Sequence, residues 1–499
     1  MKVSSYKKLK ERMSRLADIN GAIAALSWDK ETYLPPKADR FRSQQIATLS
    51  SISHEEFTSD QTRDLLLKTA TIKNLTAKEK KNLLVLQKEF DKSVRFSKEF
   101  VVKRSMIISQ AFHHWVEAKE KNNFKIFAPA LDQLIKLKRE EAAILGKNTH
   151  PYNNLLEEYE PGTTVEKLDG LFEEVRSKLL PMISKIREAK PVKSSFLKKD
   201  FAQDKQWDFG LSLLNSIGYD FDRGRQDISH HPFTIGIAPD DVRITTRIDE
   251  NDFSNMTFSC LHEAGHALYE QGLDINEYGL PCGGPASLAI HESQSRLWEN
   301  HVGRSMNFWQ AHYPGLQKEF KSLKKVGLKD FYYGINKVKP NLIRTEADEL
   351  HYHIHVMIRY EIEKEMLMGN LDAAGAQEQW KSKYKDYLGL DIQDDREGIL
   401  QDVHWSHGSF GYFPTYSMGS FYAAQFFKQA QKDLSDLDEQ IAKGNTSPLL
   451  QWLRENIHQH GRRFEAEELC KRVTGKPLNL KAFVDHAKEK YGDIYNITL

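Results

Sequence analysis

Across nearly all of the 499 residues, apolar side chains return at every third or fourth position, which is the spacing of one face of an α-helix. Leu9, Met13, Leu16, Ile19, Ile23 and Leu26 set this pattern in an opening helix that Ser4 or Ser5 can cap and that the stretch 29–36 ends. Thr76 and Glu79 form a capping box, and the pattern after them runs to about Ala118 with no Pro or Gly, so one unusually long helix is expected there. Further helices are expected over about 126–145, 165–188, 344–368, 372–386, 416–433 and 463–490. One region departs from the rule. Residues 233–237 and 242–248 alternate apolar and polar around Ala-Pro-Asp-Asp, as a β-hairpin would. A lone hairpin is marginal in water, so it is expected to lie on the helical body with an edge free. No segment repeats, and no Gly/Ser/Pro-rich linker interrupts the chain, although 190–199 (KPVKSSFLKK) reads as an exposed connection. The expectation is one large, mainly α unit.

Charge and cysteine content narrow the function. Seventy-one Lys and Arg against 70 Asp and Glu leave a net charge of +1, so no field draws the protein to nucleic acid or to an anionic membrane, and neither is an expected partner. A chain of this length can bury roughly four-fifths of its unfolded surface without covalent staples. Cys260, Cys282 and Cys470 are too few and too scattered for a disulfide framework or a Cys-rich zinc ribbon, and read as buried thiols. The basic amino terminus lacks an apolar h-region and no stretch reaches 18 apolar residues, so a cytoplasmic location is expected. No G-x-x-x-x-G-K-[ST] and no strand-borne G-x-G-x-x-G is present.

The sharpest chemical signal is His262-Glu263-Ala-Gly-His266. On a helix, residues four apart lie one turn apart and about 40° round the axis, so two imidazoles can reach one ion. Glu263 can reach a water beside that ion without ligating, where it would act as general base. Chance alone would give the pattern in about one such chain in twenty. The flanking Phe258, Leu261, Ala264, Ala267 and Leu268 imply burial, however, and buried His and Glu require partners. A catalytic zinc needs a third protein ligand and an open position. His266 is followed by Ala-Leu-Tyr-Glu-Gln-Gly, which lacks the third His of a metzincin. A loop at 279–285 and a second helix from Ala286 would return Glu292 to the two His, with Glu270, Glu277, His291 and Glu299 as rivals. His351 and His355, at helical spacing beside several carboxylates, read as hydrogen-bonded residues rather than a second metal site.

Six ordered motifs extend the reading: His231-Pro-Phe, Asp241-Val-Arg-Ile-Thr, His262-Glu-Ala-Gly-His, His291-Glu-Ser-Gln, Ile343-Arg-Thr-Glu-Ala-Asp and Gly398-Ile-Leu-Gln-Asp-Val-His-Trp. With them the chain resembles the M32 metallocarboxypeptidase family, the thermostable carboxypeptidase Taq type. The resemblance implies a large helical zinc-peptidase fold of the gluzincin kind, with a deep groove and a small β-sheet at the active site. It implies a single peptidase domain over residues 1–499 with its metal-site core at about 231–416, acting as a homodimer. It also implies one Zn²⁺ per subunit, with Co²⁺ or Mn²⁺ as substitutes, held by His262, His266 and Glu292, with Glu263 as the catalytic carboxylate. The expected partners are peptides with a free C-terminal carboxylate, cut one residue at a time. His407 and Tyr416 are spaced like the His/Tyr pair that related zinc peptidases aim at the tetrahedral intermediate, with Tyr412 in reserve. A terminal carboxylate calls for a two-pronged guanidinium, for which Arg344 and Arg243 are candidates, with His231 at the end of the hairpin. If Arg344 is structural instead, its expected partner is Glu346 or Asp348. Two other functions remain to be weighed: an oligopeptidase or peptidyl-dipeptidase, and a peptide-binding protein without catalysis.

Overall fold

The computed structural model describes residues 4–146 and 150–499. The chain divides into two compact units. One comprises Met1–Val94, Lys193–Ile335 and Ala423–Pro477, the other Arg95–Val192, Asn336–Tyr422 and Leu478–Leu499. The exposed connection foreseen at 190–199 contains one of the crossing points.

In the first unit the opening helix, Ser5–Thr32, starts where the Ser4 side chain accepts the Lys7 N–H. Its Leu9, Met13 and Leu16 pack with Leu66, Leu86, Phe90 and Leu280, each fully buried side chain contributing about 1.5–3 kcal/mol. Beyond Leu16 the stripe is only half buried until Trp28 closes it.

Three expected helices break where a local hydrogen-bonding group outweighs the periodicity. The long helix is two, Ala77–Ser93 and Lys98–Glu120, because the Ser97 hydroxyl accepts the Phe100 N–H and restarts the helix. The segment at 463–490 is also two, Ala466–Thr474 and Lys481–Tyr495, separated by a left-handed Gly475 and by Pro477, which cannot donate. The helix expected from 344 begins only at His351, after the Asp348 carboxylate accepts the N–H groups of Leu350 and His351.

The hairpin forms, with a correction. Strands β1 (Gln226–Ile228), β2 (Thr234–Ala238) and β3 (Asp241–Thr246) make a sheet in the order β1-β3-β2. β2 runs antiparallel to β3 with a bulge between Gly236 and Ala238, and β1 pairs parallel to β3, so the second hairpin strand is central rather than alone with its partner. Among the described residues no helix is long and apolar enough to cross a membrane.

The second unit is built round helix His351–Met368, in which Arg359 and Glu363 are fully buried. The Glu363 carboxylate gathers three donors: Trp405 Nε1–H on Oε1 at 2.7 Å, and Tyr152 O–H at 2.6 Å and Gly411 N–H at 3.0 Å on Oε2. Gly411 sits at φ +91°, a backbone state that glycine adopts without strain. Burial pushes the Glu363 carboxyl up to about 7 despite these donors. An acid with a raised folded pKa binds more protons folded than unfolded, so its contribution is complete below about pH 4.5 and is lost as pH rises through 7. Glu363→Gln removes this titration and sets an amide N–H against either the Trp405 or the Gly411 N–H. The variant should be less stable than wild type at pH 4.5, with the gap narrowing by roughly 3 kcal/mol by pH 8. Unfolding midpoints of the two proteins across that range test this, and a constant gap would refute it.

Candidate metal centre

The first unit holds the residues singled out around His262. Helix Phe253–Glu270 starts at Asp252, whose side chain accepts the Ser254 N–H, and buries Phe253, Met256, Phe258, Leu261, Ala264 and Leu268. A helix anchored along that face presents His262, Glu263 and His266 in fixed directions. The second helix, Leu288–Arg296, is capped by the Ser287 hydroxyl and passes into a π-helical stretch, Leu297–Val302. The two helices touch at Gly265, where an added Cβ would lie 2.5 Å from the Gln294 carbonyl oxygen and from Ser295 Cα. Only a residue without a side chain permits that approach, and it brings Glu292 over the two His.

Glu292 Oε2 lies 3.4 Å from His266 Nε2 and 3.7 Å from His262 Nε2. All three ligand atoms fall within 4.8 Å of one another. Donors about 2.1 Å from a tetrahedral ion stand roughly 3.4 Å apart, so a His₂Glu set of this size fits a zinc-sized cation. The far nitrogens are engaged as ligation requires: His262 Nδ1 is 3.0 Å from Glu299 Oε2, and His266 Nδ1 is 3.1 Å from the His291 carbonyl oxygen. Glu292 is steadied by Arg296 Nε at 2.6 Å and by the Ser295 hydroxyl at 2.9 Å. Glu299 accepts from Arg296 and Arg304, each at 3.3 Å.

The electrostatics suit the same reading. Burial, seconded by His291, pushes His266 down to about 3, which keeps it neutral. Burial also opposes a charged Glu292, but Arg296 and the two imidazoles hold its carboxyl well below the usual range. Glu299, against the same burial, is held at about 2 by Arg296, His262 and Arg304. His262 is raised, since Glu292 and Glu299 outweigh its burial. Burial raises Glu263, only 7% exposed, towards the range useful to a general base. The Thr234 hydroxyl on β2 lies 2.6 Å from Glu263 Oε2 and so fixes that carboxylate.

Of the rival ligands, Glu270 pairs with His291 at 2.8 Å, Glu299 backs His262, and Glu277 accepts from Asn82 at 2.7 Å. His231 is exposed just before β2. Arg243 spends Nε and one terminal nitrogen on Asp241, both at 2.7 Å, and stacks on Trp28.

The remaining candidates lie in the second unit. Arg344 is buried and paired with Asp402 through Nε at 3.0 Å and NH2 at 2.8 Å, so its acidic partner is neither Glu346 nor Asp348. Its NH1 donates to the Tyr352 hydroxyl at 2.8 Å, and its guanidinium lies over the Tyr416 ring. His407 is exposed, with its ring 5.3 Å from that of Phe112. His404, unforeseen in the sequence, instead places Nε2 3.1 Å from the Tyr416 hydroxyl, and Tyr412 stacks against both. A single 3₁₀ turn, His404–His407, carries both imidazoles, and spacing alone does not separate them. His351 and His355 are buried and bonded to Asp348 and Tyr384. Thr234 and Asp402 were also missed, and Glu299, weighed from sequence as a third ligand, stands behind His262 instead. A carboxylate two turns beyond Glu292 made Glu299 a candidate ligand, but nothing in the spacing gave it the role behind His262.

Comparison with known proteins gives one answer. The model of the carboxypeptidase Taq (M32) metallopeptidase family matches residues 8–491. Carboxypeptidase 1 of Bacillus subtilis (strain 168) is 38% identical over 500 residues, covering 99% of this chain and 100% of its own. The crystal structure of an M32 carboxypeptidase from Deinococcus radiodurans R1 superposes with a TM-score of 0.97 at 38% identity, covering 99% of this chain and 100% of that one. The solved structure of CHT is 52% identical with a TM-score of 0.96, covering 98% of this chain and 99% of that one.

Because the helix crossing at Gly265 sets the distance from Glu292 to the imidazoles, Gly265→Ala should weaken zinc binding at least tenfold while leaving the ligands themselves intact. Chelator competition on the purified variant measures this, and unchanged affinity in a folded variant would refute the role given to the crossing.

Proposed function

The chain belongs to the carboxypeptidase Taq (M32) metallopeptidase family, and on that premise we propose that it releases single amino acids from peptide C-termini at a zinc site formed by His262, His266 and Glu292. It is a metal-dependent carboxypeptidase. The observation that carries the mechanistic reading is the convergence of those three ligand atoms beside the buried Glu263. When bound, the ion supplies a Lewis acid that polarises the scissile carbonyl and lowers the pKa of a water. With the Thr234 hydroxyl 2.6 Å from its Oε2, the Glu263 carboxylate is held where it can take a proton from that water and pass it to the leaving amine nitrogen.

The developing oxyanion needs a donor. Tyr416 is assigned that role, held by His404, with Tyr412 and His407 as alternatives. Arg344 is assigned the terminal carboxylate of the peptide, ahead of Arg243, and His231 a place near the substrate backbone along β2. The chain is further proposed to work as one peptidase domain, as a homodimer, in the cytoplasm, where its three buried free thiols would stay reduced.

Hydrolysis of an N-blocked peptide with a free carboxyl terminus, followed by mass spectrometry, tests the reading. Zinc-loaded protein should shorten the peptide one residue at a time. Chelation should abolish this, and Glu263→Gln should keep the metal and lose about 10²–10⁴-fold in kcat. Internal cuts would overturn the carboxypeptidase reading. Arg344→Ala should lower kcat/KM for free-carboxylate peptides and leave any slow cleavage of C-terminally amidated ones unchanged; equal losses on both would remove Arg344 from the carboxylate role.

A further inference from the structure

We propose that Glu270 and His291 form a relay that positions His266, fixing which of its ring nitrogens is left bare for the metal. This rests on the zinc site proposed above. A ligating imidazole offers one bare nitrogen, so the other must carry a proton and spend it on an acceptor. His266 Nε2 is the atom turned towards Glu292, so the proton belongs on Nδ1.

Two acceptors are within reach of His266 Nδ1: the backbone carbonyl oxygen of His291 at 3.1 Å and Nδ1 of the His291 ring at 2.5 Å. The nearer one accepts only when it is bare, which puts the His291 proton on Nε2. That nitrogen lies 2.8 Å from Glu270 Oε1, an acceptor. One arrangement therefore satisfies every contact: His266 Nδ1–H donates to His291 Nδ1, and His291 Nε2–H donates to Glu270. The other tautomer of His291 would set two N–H groups against each other at 2.5 Å and leave the Glu270 carboxylate facing a bare nitrogen.

The relay comes from the two helices that supply the ligands. Glu270 lies one turn past His266, and His291 immediately precedes Glu292. The His291 ring is held from the side by the buried Tyr269 ring, 5.5 Å away, and Glu270 lies against Gly236 of β2. The partner imidazole is treated differently. His262 bonds a carboxylate directly, one already shared with Arg296 and Arg304, whereas His266 reaches its carboxylate through a second ring. Glu270 and His291, weighed from sequence as third ligands, are on this reading positioning residues.

The test is zinc affinity of the full-length, metal-free chain, by competition with a fluorescent chelator, for wild type, Glu270→Gln, His291→Phe and the double variant. Each single change should weaken binding about 10–100-fold. Glu270 acts only through His291, so the double variant should be no weaker than His291→Phe. ¹⁵N-histidine spectra of the zinc-loaded chain should show His291 as the Nε2–H tautomer, and that population should fall in Glu270→Gln. Affinities within threefold of wild type, or losses that add, would overturn the relay. Glu270 is 23% exposed, so Glu270→Gln carries the test should His291→Phe fail to fold. A wild-type chain that takes up no zinc would overturn the metal-site reading and the relay with it, which separates the two failures.

Discussion

The proposed metal centre depends on one close approach, the crossing of helix Phe253–Glu270 with helix Leu288–Arg296 at Gly265. Helices that carry side chains at their contact pack with axes about 8–10 Å apart. At Gly265 the Gln294 carbonyl and Ser295 Cα occupy the place a Cβ would take, and Glu292 is drawn to within hydrogen-bonding range of His266. The buried residues along both helices, from Leu261 and Leu268 to Ile290 and Leu297, hold that crossing by apolar contact. A side chain that must sit within a few tenths of an ångström of its place is thus positioned by a backbone contact, which does not choose between rotamers.

Such a crossing concentrates charge where water is scarce. Glu263, Glu270, Glu292 and Glu299 face each other with Arg296 and Arg304 as the nearby cations. Burial favours the neutral form of Glu263, while Glu292 and Glu299 stay charged against Arg296 and Arg304 and raise the proton affinity of His262 between them. Buried charges persist when they are paired or coordinate a metal. The same accounting explains why Glu299 and Glu292 share Arg296: one guanidinium steadies both a ligand and the carboxylate behind another ligand.

What was legible in the sequence follows from which interactions are local. Helices were legible because burial on one face repeats every 3.6 residues, and the HExxH pair because four residues is one turn. The breaks at 94–97 and 475–480 were not, since one Ser97 hydroxyl or one left-handed Gly475 decides them while the apolar period runs on. β1 was missed for another reason: three residues, two of them polar, carry no pattern, and the strand exists only because β3 offers an edge. Glu292 was reachable across 26 residues because a buried His pair demands a third ligand and a Gly/Pro-rich loop before a second helical pattern lets the chain turn back, although that loop folds as two short 3₁₀ turns. Glu299 was reachable as a candidate ligand, but its place behind His262 was not, because the π-helical stretch at Leu297–Val302 that carries it has no sequence period of its own. Asp402 is 58 residues from Arg344, and no spacing rule ties a turn residue to a guanidinium so far away.

That last pairing bears on which arginine grips a substrate carboxylate. Arg243 and Arg344 each commit Nε and NH2 to an aspartate, so neither is chosen by its free donors alone. They differ in charge balance. Arg243 has Asp241 among its own strand's residues and is partly exposed, so its charge is met by the carboxylate and by water. Arg344 shares Asp402 with Arg359, whose Nε donates to the other carboxylate oxygen at 2.6 Å, and Arg359 is wholly buried. His404 beside them adds no charge, because burial pushes it down to about 3. Two guanidinium groups thus meet on the one Asp402 carboxylate, and Glu363, one turn along the helix, faces the charge of Arg359. The two arginines therefore differ in their counter-ion: Arg344 shares Asp402 with a second guanidinium, whereas Arg243 is bonded to both oxygens of Asp241.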